Sequence, residues 1–138
     1  MALQYGTALR NAQLDAIETT IGTTPKLRLY SGSPPANCAA AATGTMVCEI
    51  TLPSDWLADA SAGTKSKSGT WSGTGDAGAG SGTNAGYWRL WNSGVSVCHA
   101  QGTVTVTGGG GDLTLDNTSI ASGQTVAIST WTFTAGNS

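Results

Sequence analysis

Apolar and polar residues alternate with period two through the last third of the chain. Residues 102–107 read Gly-Thr-Val-Thr-Val-Thr, 112–115 read Asp-Leu-Thr-Leu, and 125–134 read Thr-Val-Ala-Ile-Ser-Thr-Trp-Thr-Phe-Thr. Such alternation puts successive side chains on opposite faces of a strand. Val104 and Val106 are expected on one face, with Thr103, Thr105 and Thr107 on the other. Leu113 and Leu115 repeat the pattern. In the final run Val126 and Ile128 share one face, while Ala127, Trp131 and Phe133 share the opposite one. The apolar face therefore changes near Ser129, as a bulge or a change of sheet causes. Three runs with turn residues between them predict an antiparallel meander whose apolar face needs a second layer.

Upstream, only residues 6–21 carry a helical period. Leu9, Ala12, Ala16, Ile17 and Ile21 fall near one face, with Arg10, Asp15 and Glu18 off it. Thr7 is a candidate N-cap and Gly22 stands where a glycine would end the helix. The helix is expected to pack on its own domain, or else to act as an arm on a neighbouring subunit. Residues 26–30 form a short strand with Leu27 and Leu29 inward, and 45–52 a second, with Met46, Cys48, Ile50 and Leu52 opposite Glu49. Trp56 lies in a corner or short helical turn at the core edge, and 65–72 is a candidate strand ending on Trp71. Residues 73–86 are a glycine, alanine and serine tract read as a flexible loop. Residues 94–100 are a further strand with Val95 and Val97 on one face. Seven or eight strands at this spacing predict a mainly β protein: an antiparallel β-sandwich with one N-terminal α-helix. The expected organisation is a single domain, 1–138, with 1–24 as helix or arm and 25–138 as the sandwich.

Composition sharpens this. Charged residues make up 10% of the chain, far below an average soluble domain, and glycine, threonine, serine and alanine replace them. Such surfaces suit β-sheets that pack against something else. The net charge of -2 lacks the basic footprint of a nucleic-acid binder, so no nucleic-acid partner is expected. The opening residues 1–6 carry no basic or apolar region of a signal peptide, and no run is long enough to span a membrane, so no membrane partner is expected. The three cysteines, Cys38, Cys48 and Cys98, have no metal-ligand spacing and are expected as thiols in a reducing cytoplasm; a Cys38–Cys48 disulfide is the alternative.

Chemical motifs fail one by one. Residues 73–78 match the letters of a dinucleotide fingerprint but follow no buried parallel strand and open no helix. Residues 63–66 lack the glycines of a phosphate loop, and 108–112 resemble one unrepeated calcium β-roll turn, better read as a glycine hairpin. Asn117 opens a glycosylation sequon in letters only. The one histidine, His99, follows Cys98, and neighbours on a strand point to opposite faces, so the two cannot act together. No catalytic, cofactor-binding or metal-ligating residues are assigned, and neither enzymatic activity nor a cofactor is expected.

Residues 87–91, Tyr-Trp-Arg-Leu-Trp, carry aromatics on both faces of one strand. Trp88 and Leu90 are assigned to the core because that pair is uncharged. Tyr87, Arg89 and Trp91 then form an exposed aromatic–arginine patch, the composition enriched at interface hot spots. These three are the candidate interaction residues.

Four stretches carry a resemblance: residues 2–22, beginning Ala-Leu-Gln-Tyr-Gly; 26–38, beginning Lys-Leu-Arg-Leu-Tyr; 52–56, Leu-Pro-Ser-Asp-Trp; and 102–117. The chain resembles capsid cementing (decoration) proteins of tailed double-stranded DNA phages. The resemblance covers most of the chain and leaves about 58–86 free to vary. It implies a jelly-roll-like sandwich on the outer face of the virion head, made in the host bacterial cytoplasm, without enzyme activity. The implied partners are the major capsid protein and other copies of the chain, with a homodimer favoured as the commonest closed symmetry. A tail, tail-tip or head–tail joining component, or a carbohydrate-binding β-sandwich module, are the alternatives.

Overall fold

A computed structural model describes residues 3–135. Met1 and Ala2 at the start of the opening stretch, and 136–138 at the end of the expected sandwich, lie outside the described residues. The protein is mainly β, with one helix near the N-terminus and a nearly closed, barrel-like sheet consistent with a β-sandwich. The wall is built from β1 (Lys26–Tyr30), β2 (Met46–Thr51), β4 (Trp71–Gly75), β6 (Tyr87–Trp91), β7 (Cys98–Val106), β8 (Leu113–Leu115) and β10 (Thr125–Ile128). Their order is β10-β4-β2-β1-β6-β7-β8. Two small ladders complete the fold: β3 (Thr64–Ser66) with β11 (Thr132–Thr134), and β5 (Thr83–Asn84) with β9 (Ser119–Ile120).

The alternation in β1 does what its pattern predicts, since Leu27 and Leu29 are fully buried. The change of face near Ser129 is a change of sheet. Val126 and Ile128 point into the wall's core from β10, the chain breaks, and Trp131 enters the same core while β11 pairs with β3. Trp131 joins a chain of rings: Trp56–Trp71 at 6.0 Å, Trp71–Trp131 at 5.5 Å and Trp131–Trp88 at 4.7 Å between centroids. Four of the five tryptophans are thus one continuous filling.

Several expectations are corrected. The last three runs are not an antiparallel meander. β8 lies parallel to β7, with Val104 beside Leu113 and Val106 beside Leu115, and β10 pairs with β4. The return from β7 to β8 is tight. Thr103 N and Oγ1 both donate to the Asp112 carboxylate, and Gly111 N donates to Thr105 Oγ1. A side chain at Gly109 or Gly111 would overlap Thr105, so the glycine run is a steric requirement of the fold-back. Residues 65–72 split into β3 and the start of β4. The expected strand at 94–100 begins only at Cys98, because the Asn92 side chain accepts from Ser96 N and Val97 N and holds a turn there. The tract 73–86 is not a plain loop: it carries most of β4, a 3-10 turn at Ala77–Ala79, and β5, with Ala79 and Ala85 buried.

Helix α1 (Thr7–Ile21) starts after Gly6, without a side-chain cap from Thr7, and ends at Gly22, whose φ of 88° only glycine adopts readily. Its docked face is not the expected one. Leu14 and Ile21 are buried and Ile17 is partly so, whereas Leu9, Ala12 and Ala16 are exposed. Arg10, Asp15 and Glu18, expected off the face, are among the residues that dock it. Arg10 donates to Ala135 O, Asn11 accepts from Gly63 N, and Lys65 bridges Asp15 at 2.8 Å and Glu18 at 3.2 Å.

Lys65 is buried, and burial opposes its charge, yet hydrogen bonds to Asp15 and Glu18 outweigh this and raise its pKa. The Lys65 hydrogen bond, followed by the one from Ala60 N, lowers the pKa of Asp15. A lowered carboxylate stabilises the fold above its ordinary value of 3.8 and loses that contribution as pH falls through its folded value. A raised lysine stabilises below 10.5 and loses its contribution as pH rises through its folded value. Acid should therefore loosen α1. Melting temperatures of the parent protein and Asp15→Asn should converge as pH drops below 3.8. A gap that stays constant would show that Asp15 carries no charge-dependent stability.

Candidate functional site

The expected interaction residues lie on the outer face of β6, where the wall is not bare. Across the wall this face runs from Arg28 and Tyr30 of β1, through Tyr87, Arg89 and Trp91, to Gln101 and Thr103 of β7. Residues 31–45, between β1 and β2, lie over it. Tyr87 Oη donates to Thr43 O and accepts from Thr43 N; Arg89 Nη2 donates to Asn37 O at 3.1 Å; Gln101 Nε2 donates to Pro35 O at 2.6 Å. The Tyr30 and Tyr87 rings stack at 5.0 Å beneath it.

The exposed patch is thereby corrected. Tyr87 and Arg89 are both 0% exposed, and Trp91 is half-buried. Trp88 and Leu90 are also buried, so β6 is covered on both sides, by the ring-filled core and by segment 31–45. Arg89 is an internal fastener. Its Nε donates to Gln101 Oε1, its guanidinium lies 5.6 Å from the Trp91 ring centroid, and no salt bridge engages it among the described residues. Arg28, its neighbour across the β1–β6 ladder, is instead neutralised by Glu49 at 2.7 Å.

What remains at the surface is the Trp91 end. A hollow of about 530 Å³ is lined by Cys38, Ala39, Ala40, Ala41, Trp91, Ser96, Val97 and Cys98. Val97 is 48% exposed. Sequence reasoning missed the alanines and Val97 as site residues, because only the fold brings 38–41 beside 96–98. A second apolar groove, of about 360 Å³, runs between α1 and the sheets and is lined by Ala16, Ile17, Ile21, His99, Ala100 and Phe133. Cys98 and His99 thus border different cavities, as expected for neighbours on a strand. His99 stands at the rim of the helix groove, half-buried.

Among the described residues no group of three or more His, Cys, Asp or Glu could hold a metal ion. No helix there is long and apolar enough to cross a membrane. All three cysteines are free. Cys48 is fully buried and its thiol points at Thr74 O; burial, then the charges of Asp76 and Glu49, push it up to about 11. Cys38 neighbours Cys98, not Cys48, which removes the expected alternative of a Cys38–Cys48 bridge. No family model, curated protein or solved structure matches this chain.

Proposed function

We propose that this protein is a structural component of a virion that binds the outside of an assembled phage head and bridges capsomers. One observation carries the reading: the surface offers two separate apolar contact areas, one beside Trp91 and one along α1. The first is the Trp91 hollow with Val97. The second runs along α1, from Leu9, which is 50% exposed, past exposed Ala12 to the groove that Ala16 lines with Ile17 and Phe133. A bridging protein needs at least two such areas held in fixed relation, and polar contacts dock α1 on the β3–β11 ladder, where Trp131 and Phe133 pack against the core of the wall. The basic side chains of Lys65, Arg28, Arg10 and Arg89 are used in contacts within the fold. The sequence resemblance to cementing proteins supports the same reading. Each copy would add a modest interface, roughly 800 Å² per partner, and repetition over the shell multiplies its effect. Other copies of this chain are the second partner proposed, with a dimer favoured.

The test is saturable co-sedimentation of the protein with expanded, undecorated heads. Val97→Asp should weaken binding tenfold or more, on the order expected for a charge placed in an apolar contact. Its melting temperature should match the parent, because Val97 is exposed. Equal binding of the parent to unassembled capsid subunits would overturn the bridging role. A copy number of tens per particle would identify a tail or joining component instead, and glycan binding by the free protein a carbohydrate module.

A further inference from the structure

We propose that Cys38 and Cys98 are a redox pair that closes to a disulfide and staples segment 31–45 to the start of β7. The two residues are far apart in sequence, yet the fold fixes both. Cys98 opens β7 opposite Trp91. Cys38 directly follows Asn37, whose carbonyl is held by Arg89, and Pro35 is held by Gln101. Both residues line the same hollow, and neither is fully buried. The Cys98 thiol donates to Ala100 O at 3.5 Å, and Cys38 is among the groups that set its electrostatic surroundings.

The environment orders the chemistry. Burial first, then the hydrogen bond and charge of Cys38, push the Cys98 thiol up to about 12, with the nearby Arg89 guanidinium opposing in part. Cys98 is thus a poor first nucleophile, and Cys38 attacks. The oxidant is a low-molecular-weight disulfide such as oxidised glutathione. The Cys38 thiolate displaces one of its sulfurs as a thiolate, which takes up a proton, and leaves a mixed disulfide on Cys38. Cys98 then gives up its proton and attacks Cys38 Sγ, expelling the second small thiol. Two protein thiols lose two electrons and two protons in all, and one small disulfide becomes two thiols. Cys48 is sealed in the core and takes no part.

The experiment exposes the native full-length protein to a series of glutathione redox buffers, followed by acid quenching, alkylation in denaturant and mass spectrometry. The expected product is a monomer lighter by two hydrogen atoms, with Cys38 linked to Cys98 and only Cys48 alkylated. Cys98→Ser should stop at the glutathione adduct on Cys38, and Cys38→Ser should gain no internal bond. The oxidised parent should melt roughly 5 °C or more above the reduced one, as expected when a long loop is closed without strain. Three alkylatable thiols under every buffer, a link through Cys48, or bridges only between two chains would each overturn the proposal. So would a glutathione adduct on Cys38 of the parent that never resolves.

Discussion

Trp71→Ala should lower folding stability by about 3–5 kcal/mol, the usual cost of emptying a large aromatic site in a packed core. Trp71 is 1% exposed and stands between Trp56 and Trp131. It starts β4 in the wall, while Trp131 leads into β11 on the separate ladder. Removing its ring would therefore open a void where two sheets meet, and neither backbone can easily close it. Its Nε1 also donates to Ser68 O at 3.1 Å, and Lys67 Nζ lies 5.9 Å from the ring centroid, so the turn before β4 loses its anchor as well. Urea unfolding should show the loss as a lower midpoint with an unchanged slope. The melting temperature should fall by about 10–20 °C. Trp71→Phe keeps part of the filling and should lose less than half as much. A loss under about 1 kcal/mol for Trp71→Ala would mean that the tryptophan chain is not the cohesive centre of this protein.

The same aromatic run shows what was legible in the sequence and what was not. Trp88 and Leu90 could be assigned to the core from alternation alone, and the face change near Ser129 could be seen before the change of sheet was known. Those signals are local: they need only the period of a strand. The fate of Tyr87 and Arg89 is not local. Their cover is segment 31–45, which shows no periodicity and is held by side chain to main chain bonds such as Tyr87 Oη to Thr43 and Gln101 Nε2 to Pro35. A buried arginine without a salt bridge also runs against the ordinary expectation that charge means exposure. Helix α1 failed for a related reason. Its apolar residues fall on more than one side, and the docked side was chosen by Lys65, Asn11 and Arg10 contacts that a hydrophobic pattern does not register. The parallel β7–β8 pair was hidden because so short a return normally signals a hairpin. The hollow beside Trp91, like the Cys38–Cys98 pair, exists only once residues 38–41 and 96–98 meet.

The glycine tract is the place where composition misleads most, and Gly75→Ala measures by how much. In a flexible loop such a substitution is neutral or mildly stabilising, because it narrows the unfolded ensemble. Gly75 is not in such a loop. It is buried at the end of β4, where its N–H donates to Gln124 O at 2.7 Å and its carbonyl accepts from Gly123 N at 2.9 Å. A Cβ there would overlap the main-chain carbonyl of Ala121, which cannot rotate aside as a side-chain tip can. The turn at 121–124 would have to move, and with it β10, which pairs with β4. Overpacking of this kind costs about 3 kcal/mol. Ser81→Ala, an exposed change in the same tract, should stay within about 0.5 kcal/mol of the parent. Chemical denaturation of the two variants side by side separates the cases. If both are neutral, residues 73–86 behave as the loop their composition suggests, and the close approach of β4 to the 121–124 turn is wrong. If Gly75→Ala alone is costly, the glycines are there because two backbones meet, and the tract is part of the wall.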